Sequence, residues 1–301
     1  MNIEQAKLIS IVEILETIGM LPQRETGTDA MYLSPIRLEH TGSFHVDKVR
    51  NLWFDFGLNI GGDILNFVSE YLKYHKEHYT TKDALRWIEI MSGNAPRIKP
   101  ILKEHKENEK SLVIKEVEPL THPALFNYLG KRGIDLHIAM KYLEQVTVFN
   151  RNTSKTFTCI GFKNDNDGFE LRNRNFKGCA GSKYITFVRG TVPKPPTIHI
   201  FEGPFDFLTF LTIKKNSQLA DDTIVLNSLV CLDKATPYIY GYGYKKACTW
   251  MDNDVQGKLA TKSIDDFLKT QDDLLHVPVN RLYLPHKDVN SWHMHNLNLK
   301  L

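Results

Sequence analysis

The sequence predicts an α/β protein, α+β overall, in which a small mixed N-terminal module precedes a core built on an open, largely parallel sheet. Two apolar runs carry the second half of that prediction: Thr197 to Phe201 and Ala247 to Met251. Each stops at carboxylates and a glycine, in Phe201-Glu202-Gly203-Pro204-Phe205-Asp206 and in Trp250-Met251-Asp252-Asn253-Asp254-Val255-Gln256-Gly257. Short apolar runs bounded in this way suit buried strands, and the carboxyl ends of parallel strands face one crevice. The first ninety residues carry the other half, with one helical stripe, three short strands and two further helices separated by polar turns.

In order, Leu8, Ile11, Val12, Leu15 and Ile18 form a helical stripe over Ile3 to Ile18, closed by Gly19. Met31 to Leu33, Ser43 to Val46 and Leu52 to Phe56 read as strands, Asp63 as the N-cap of a helix bearing Ile64, Phe67, Val68 and Tyr71, and Lys82 to Met91 as a third helix. These elements make a module over residues 1–95. From 96 to 118, Pro96, Lys99, Pro100, Lys103, Lys106 and Lys110 read as a solvated, charged linker; a basic tether for a phosphate backbone is the other reading. Residues 119–195 form a basic subdomain: helices Pro123 to Leu129 and Leu136 to Leu143, the second capped by Asp135, then strands Val146 to Phe149, Phe157 to Phe162 and Gly168 to Arg172. Thr191 to Pro196 is a stiff connector. Residues 196–301 hold the acidic motifs, with helix Phe205 to Ile213, strand Thr223 to Leu226 ending in Asn227-Ser228, and helix Lys258 to Leu268 opened by Gly257.

A content of 42% hydrophobic and 24% charged residues fits a globular chain, and no apolar run of about 18 residues suggests a membrane partner. The N-terminus lacks the basic and apolar regions of a secretory signal, so the expected location is cytoplasmic. Cys159, Cys179, Cys231 and Cys248 form no C-x-x-C pair. The net charge of +3 is too small to imply a nucleic acid by itself.

Distribution says more. Three carboxylates brought together would raise one another's pKa unless a hard divalent cation shared their charge, so Glu202, Asp252 and Asp254 form a candidate metal site. Asp206, one helical turn past Glu202, either caps the following helix or joins them. Arg172, Arg174, Lys177 and Lys183 alternate with small and aromatic residues and almost no acid; an extended strand would put Arg172 and Arg174 on one face, suited to phosphate. The N-terminal amides of the helix Lys258 to Leu268, with Lys258 and Lys262, are a further expected phosphate contact.

A Glu-Gly strand end followed by a strand ending in Asp-x-Asp-x-x-Gly resembles the toprim domain of bacterial-type primases, topoisomerases and some nucleases. The resemblance implies metal ligands at Glu202, Asp252 and Asp254, with Asp288 of His286-Lys287-Asp288-Val289-Asn290 as an accessory acid and Asn227 and Ser228 as nucleotide contacts. Tyr128-Leu129-Gly130-Lys131-Arg132-Gly133-Ile134 is similar to the phrase at the entry of the primase polymerase domain. Tyr32 to Arg37, Thr41 to Val46, Trp53 to Gly57 and Gly61 to Val68 resemble, in order, the zinc-ribbon domain of bacterial primases. Its three cysteines and one histidine are here Ser34, Arg37, Asp55 and Leu58, which cannot form a thiolate and imidazole site, so no zinc is expected. His40 and His45 are the imidazoles nearby. The resemblance implies a DNA primase that makes short primers on a single-stranded DNA template from nucleoside triphosphates with Mg2+ or Mn2+. Its expected setting is a stand-alone enzyme of a plasmid, phage or integrative element, with a helicase or other replication protein as a further partner. A toprim metal-dependent nuclease and a non-catalytic single-stranded DNA-binding protein of a mobile element are the alternatives.

Overall fold

A computed structural model describes residues 1–102 and 111–300, and Lys103, Lys106 and Lys110 of the expected linker lie outside them. The chain divides into two compact units, Met1–Arg97 with Tyr240–Tyr242, and Ile98–Ile239 with Gly243–Leu301.

The first unit is a five-stranded antiparallel meander, Arg24–Glu25, Asp29–Tyr32, Phe44–Asp47, Leu52–Asp55 and Ile60–Gly62, packed against helices Ile64–Tyr74 and Thr81–Met91. Strand alternation turns Ala30, Tyr32, Phe44, Val46 and Trp53 inward. Phe44 stacks on Trp53 at 5.1 Å, and Phe67 of the first helix closes on both rings. Asp63 caps that helix as expected, accepting from the Leu65 and Asn66 amides. The N-terminal stripe is not one helix but two, Ile3–Lys7 and Ile11–Thr17. Ser10 accepts from the Glu13 amide and starts the second, and Leu8, counted on the buried stripe, is 87% exposed at the break. A local cap outweighs a periodic pattern that continues across it.

The four positions aligned with zinc ligands meet in space without thiolates. Asp55, with no exposed surface, accepts from Ser34 Oγ at 2.6 Å, Arg37 Nε at 3.3 Å, and the Gly57 and Leu58 amides at 2.8 and 3.0 Å. Arg37 also pairs with Glu39 and Ser43, and Glu39 accepts from the Ser34 amide at 2.6 Å. Burial pushes the Asp55 pKa up, but the hydrogen bonds from Ser34, the Leu58 amide and Arg37 outweigh it and hold the carboxyl below its usual range.

The second unit holds two five-stranded sheets. One is an antiparallel meander, Leu112–Pro119, Leu143–Asn150, Lys155–Lys163, Phe169–Arg172 and Lys177–Ala180. Its first strand corrects the linker expectation over 112–118. Leu112, Val113 and Ile114 pair with Asn150, Phe149 and Val148, and the lysine and glutamates beyond the bulge at Ile114/Glu116 mark a protected sheet edge. The basic stretch is also corrected: the strand stops at Arg172, Asn173 to Phe176 turn, and Arg172 faces Lys177 across a hairpin, so Arg172 and Arg174 do not share a strand face.

The other sheet has the order Thr186–Val188, Asp222–Val225, Thr197–Phe201, Lys246–Trp250, Leu275–Pro278, antiparallel at the first pair and parallel elsewhere. Helices Pro204–Lys214, Val255–Leu268 and Val289–Asn296 follow its acidic loops. A single apolar cluster joins Leu125, Leu129, Ile138 and Phe162 to Phe201, Phe207 and Leu211, so the basic subdomain and the parallel sheet share one core.

Candidate active site

Parallel register positions the acids. Phe201 lies beside Trp250, and the Glu202 amide donates to the Trp250 carbonyl at 3.2 Å, so both strands release their carboxylates at one edge. Glu202 Oε2 accepts from the Asp252 amide at 3.0 Å, fixing the glutamate under the second loop. Asp254 is the N-cap of Val255–Leu268, where its Oδ1 accepts from the Gly257 amide at 2.9 Å; the helix begins three residues before the expected Lys258. The Lys287 ammonium lies 3.1 Å from Asp252 Oδ2 and 3.0 Å from Asp254 Oδ2.

Neighbouring loops lock this arrangement. The Asn253 amide donates to the Lys287 carbonyl at 2.6 Å, and its side-chain amide reaches the His286 carbonyl at 2.8 Å and that of Asn280 at 3.1 Å. The Tyr283 hydroxyl donates to the Met251 carbonyl at 2.5 Å. Asp288 caps Val289–Asn296 through the Ser291 amide at 2.6 Å. Asp206 neither caps its helix, whose N-cap is Gly203, nor lies exposed; it is buried and accepts from the Asn290 amide at 3.1 Å.

The electrostatics follow from burial and like charge. Burial first, and the Asp252 charge second, push Glu202 up to about 7. Burial and the neighbouring Asp288 raise Asp206 well above the carboxylate range. Asp252 is raised by burial despite Lys287, whereas the Gly257 amide holds Asp254 low. Its hydrogen bond to Asp254 pushes Lys287 above the usual lysine value. The donors are carboxylate oxygens, the set a hard divalent cation takes, and an ammonium already lies between two of them. Among the described residues no group of three or more His, Cys, Asp or Glu stands arranged as a metal cage.

Gly257 is required by contact rather than by backbone angle. A Cβ there would lie 2.1 Å from the Asp252 carbonyl oxygen. Gly257→Ala is therefore expected to lose about 1–3 kcal/mol of stability, read from thermal melts, and to displace the Asp252 loop.

The remaining expected residues are distributed unevenly. Arg172 lies over the Phe205 ring at 5.9 Å, at the start of the helix after Glu202. Arg172 and Lys177 pair across the hairpin, next to the Glu170 and Cys179 pair. Burial pushes Glu170 up to about 7 against the Cys179 hydrogen bond and the pull of Lys183, Lys177 and Arg172; Arg174 lies exposed on the turn. Lys258 is exposed on the first turn of its helix. Asn227, at φ 63°, donates to the Tyr184 carbonyl and the Thr186 hydroxyl, both at 2.9 Å, and Ser228 caps a short 3-10 helix. Both thus shape the turn. Sequence reasoning assigned nothing to Lys287, Asn290 or Arg132. Asn290 receives Arg132 Nη1 at 2.8 Å and donates to the Arg132 carbonyl at 2.9 Å and to Thr209 at 2.9 Å. Arg132 stacks over Tyr128 and Phe205. The signals available were the arginine in the Tyr128 to Ile134 phrase and the polar run from His286 to Asn290.

Family profiles match in three places: a CHC2 zinc finger at residues 2–90, a domain of unknown function at 114–181 and a toprim-like domain at 199–293. The zinc-finger match runs against the expectation of no zinc at the level of family, while the residues at the ligand positions remain serine, arginine, aspartate and leucine. Toprim-like domains are metal-dependent. The DNA primase of Helicobacter pylori strain J99 is 27% identical over 135 residues, 43% of this chain and 23% of its own length. That of Buchnera aphidicola subsp. Baizongia pistaciae is 27% identical over 187 residues, 58% of this chain and 28% of its own. The chain thus spans about a quarter of the length of the curated relatives it matches. Among solved structures, the zinc-binding and RNA polymerase domains of the Aquifex aeolicus primase align at TM-score 0.42 with 16% identity, over 98% of this chain and 83% of that one. The primase fragment of the bacteriophage T7 primase-helicase aligns at 0.40 with 15% identity, over 87% and 95%. Among the described residues no helix is long and apolar enough to cross a membrane. The chain thus carries a toprim-like domain behind a CHC2-type module and is similar to bacterial DNA primases over part of their length.

Proposed function

We propose that the chain synthesises short primers on single-stranded DNA from nucleoside triphosphates. The observation that carries this reading is the convergence of Glu202, Asp252 and Asp254 at one edge of a parallel sheet, beside a hairpin bearing Arg172 and Lys177. Glu202, Asp252 and Asp254 would hold Mg2+ or Mn2+, with Asp288 on the adjoining loop. Bound there, the cation supplies Lewis-acid neutralisation of phosphate charge. The chain's own residues do the rest. Arg172 and Lys177 of the hairpin, with Lys183, Arg174 and Lys258, would supply positive charge to the template or the triphosphate. Arg132, Asn290 and Asp206 form a bridge, buried at Asn290 and Asp206, that fixes the helix after Glu202 against the basic subdomain. Asn227 and Ser228 hold the turn beside the site. In the first unit Asp55 and its donors take the structural place of zinc.

The test uses end-labelled single-stranded DNA with Mg2+, with and without nucleoside triphosphates. A primase leaves the template intact and makes new short products only when nucleotides are present. Shortening of the template without nucleotides would instead establish a nuclease, and tight binding with neither outcome a non-catalytic DNA-binding protein.

The raised Glu202 pKa gives a pH prediction with a definite sign. Between the ordinary glutamate range and about pH 7 the unfolded chain has lost a proton that metal-free folded Glu202 still holds. Stability of the metal-free protein should therefore fall as pH rises through this window and level off above it. Melting temperature against pH reads the slope, to which the raised Glu170, Asp206 and Asp252 also contribute, and Glu202→Gln should reduce it.

A further inference from the structure

The Lys287 side chain is placed as a cation would be, with its ammonium within 3.1 Å of a carboxylate oxygen of both Asp252 and Asp254. Ordinary surface pairs combine two free side chains; here the root of the lysine is built into the acidic loop. The Asn253 amide, between the two aspartates, donates to the Lys287 carbonyl at 2.6 Å, and the Asn253 side chain holds the preceding His286 carbonyl at 2.8 Å. The next residue, Asp288, has an oxygen committed to the Ser291 amide. The ammonium is thus held to the same oxygens that the proposed metal would use. Its side chain is 57% exposed, against 14% for Asp252, so solvent gives it room to leave.

We propose that Lys287 is a built-in counter-ion that competes with the divalent cation for Asp252 and Asp254. It holds the two carboxylates together without metal and must withdraw before both oxygens are available to one. The energetic ground is simple. Two anions without a cation repel, while a single positive charge and a double one cannot occupy the same few ångströms without repelling in turn. The lysine therefore stabilises the metal-free site and lowers its metal affinity. This inference rests on reading Glu202, Asp252 and Asp254 as the metal site.

The experiment is a Mn2+ titration followed by electron paramagnetic resonance and calorimetry, using the full chain as wild type, Lys287→Met, Lys287→Arg and Asp252→Asn. Lys287→Met removes the charge and keeps much of the length, and should bind Mn2+ about tenfold more tightly than wild type. Its metal-free melting temperature should fall, with a larger rise on adding Mn2+. Lys287→Arg should stay near wild type. If Lys287→Met binds Mn2+ equally or more weakly while Asp252→Asn weakens binding, the metal site stands and the counter-ion role is overturned. If Asp252→Asn leaves Mn2+ binding unchanged, the metal-site reading fails and the lysine proposal falls with it.

Discussion

Replacing Asp252 by alanine is expected to lower nucleotide incorporation at least about a thousandfold while the protein remains folded. Asp252 connects more of the site than any other acid. Its amide supports Glu202, its carboxylate meets Lys287, and its backbone packs against Gly257. A metal site deprived of one of its few carboxylates loses several kcal/mol of stabilisation of transferring phosphate, and each 1.4 kcal/mol is about tenfold in rate. The fold should survive, because Asp252 follows the strand Lys246–Trp250 and the hydrophobic core lies beneath it in Phe201, Phe207 and Leu211. Circular dichroism and a melt of the variant separate loss of chemistry from loss of structure. Retention of most of the wild-type rate would remove Asp252 from the site.

In the first unit the largest effect belongs to Asp55. Asp55→Ala should destabilise that unit by about 3–5 kcal/mol, since it leaves the Arg37 guanidinium, the Ser34 hydroxyl and two backbone amides without their common acceptor. Because the Asp55 pKa is held low, its contribution should be present at neutral pH and lost as pH falls through the depressed value. If the polar cluster rather than zinc holds this module, a strong chelator should leave the wild-type melt unchanged. A chelator-induced fall in melting temperature, with zinc found in the purified protein, would show that the module uses metal ligands other than these four.

Much of the architecture was readable because the relevant signals are local. The strand-ending carboxylates, the Asp63 and Asp135 caps and the alternation in the N-terminal strands each depend on a few adjacent residues. What sequence misplaced was decided either by partners distant in the chain or by a local turn or cap that overrode the periodic pattern. Leu112 to Pro119 has a charged, linker-like composition and becomes a strand because Leu143–Asn150 offers it an edge. Arg172 and Arg174 were given one face by strand periodicity, but the Asn173 side chain accepts from the Asn175 amide and turns the chain between them. At the site, the meeting of Glu202 and Asp252 at one sheet edge was legible, because parallel strands release their last residues at the same edge. Lys287 was not, because an ammonium aimed at Asp252 and Asp254, far back in the chain, looks, in sequence, like any exposed lysine. Asp206 shows the same limit. Its place one turn past Glu202 left it open as a helix cap or a further acid of the site, and only the arrival of Asn290 from the last helix explains why a carboxyl is buried there.

The most direct test of the central claim is incorporation of labelled nucleoside triphosphates on a single-stranded DNA template with Mg2+, wild type beside Asp252→Ala. The account predicts short, template-dependent products from the wild type and none from the variant, with the template intact in both. Equal products from both proteins would contradict it, because the acids at the sheet edge would then not carry the chemistry.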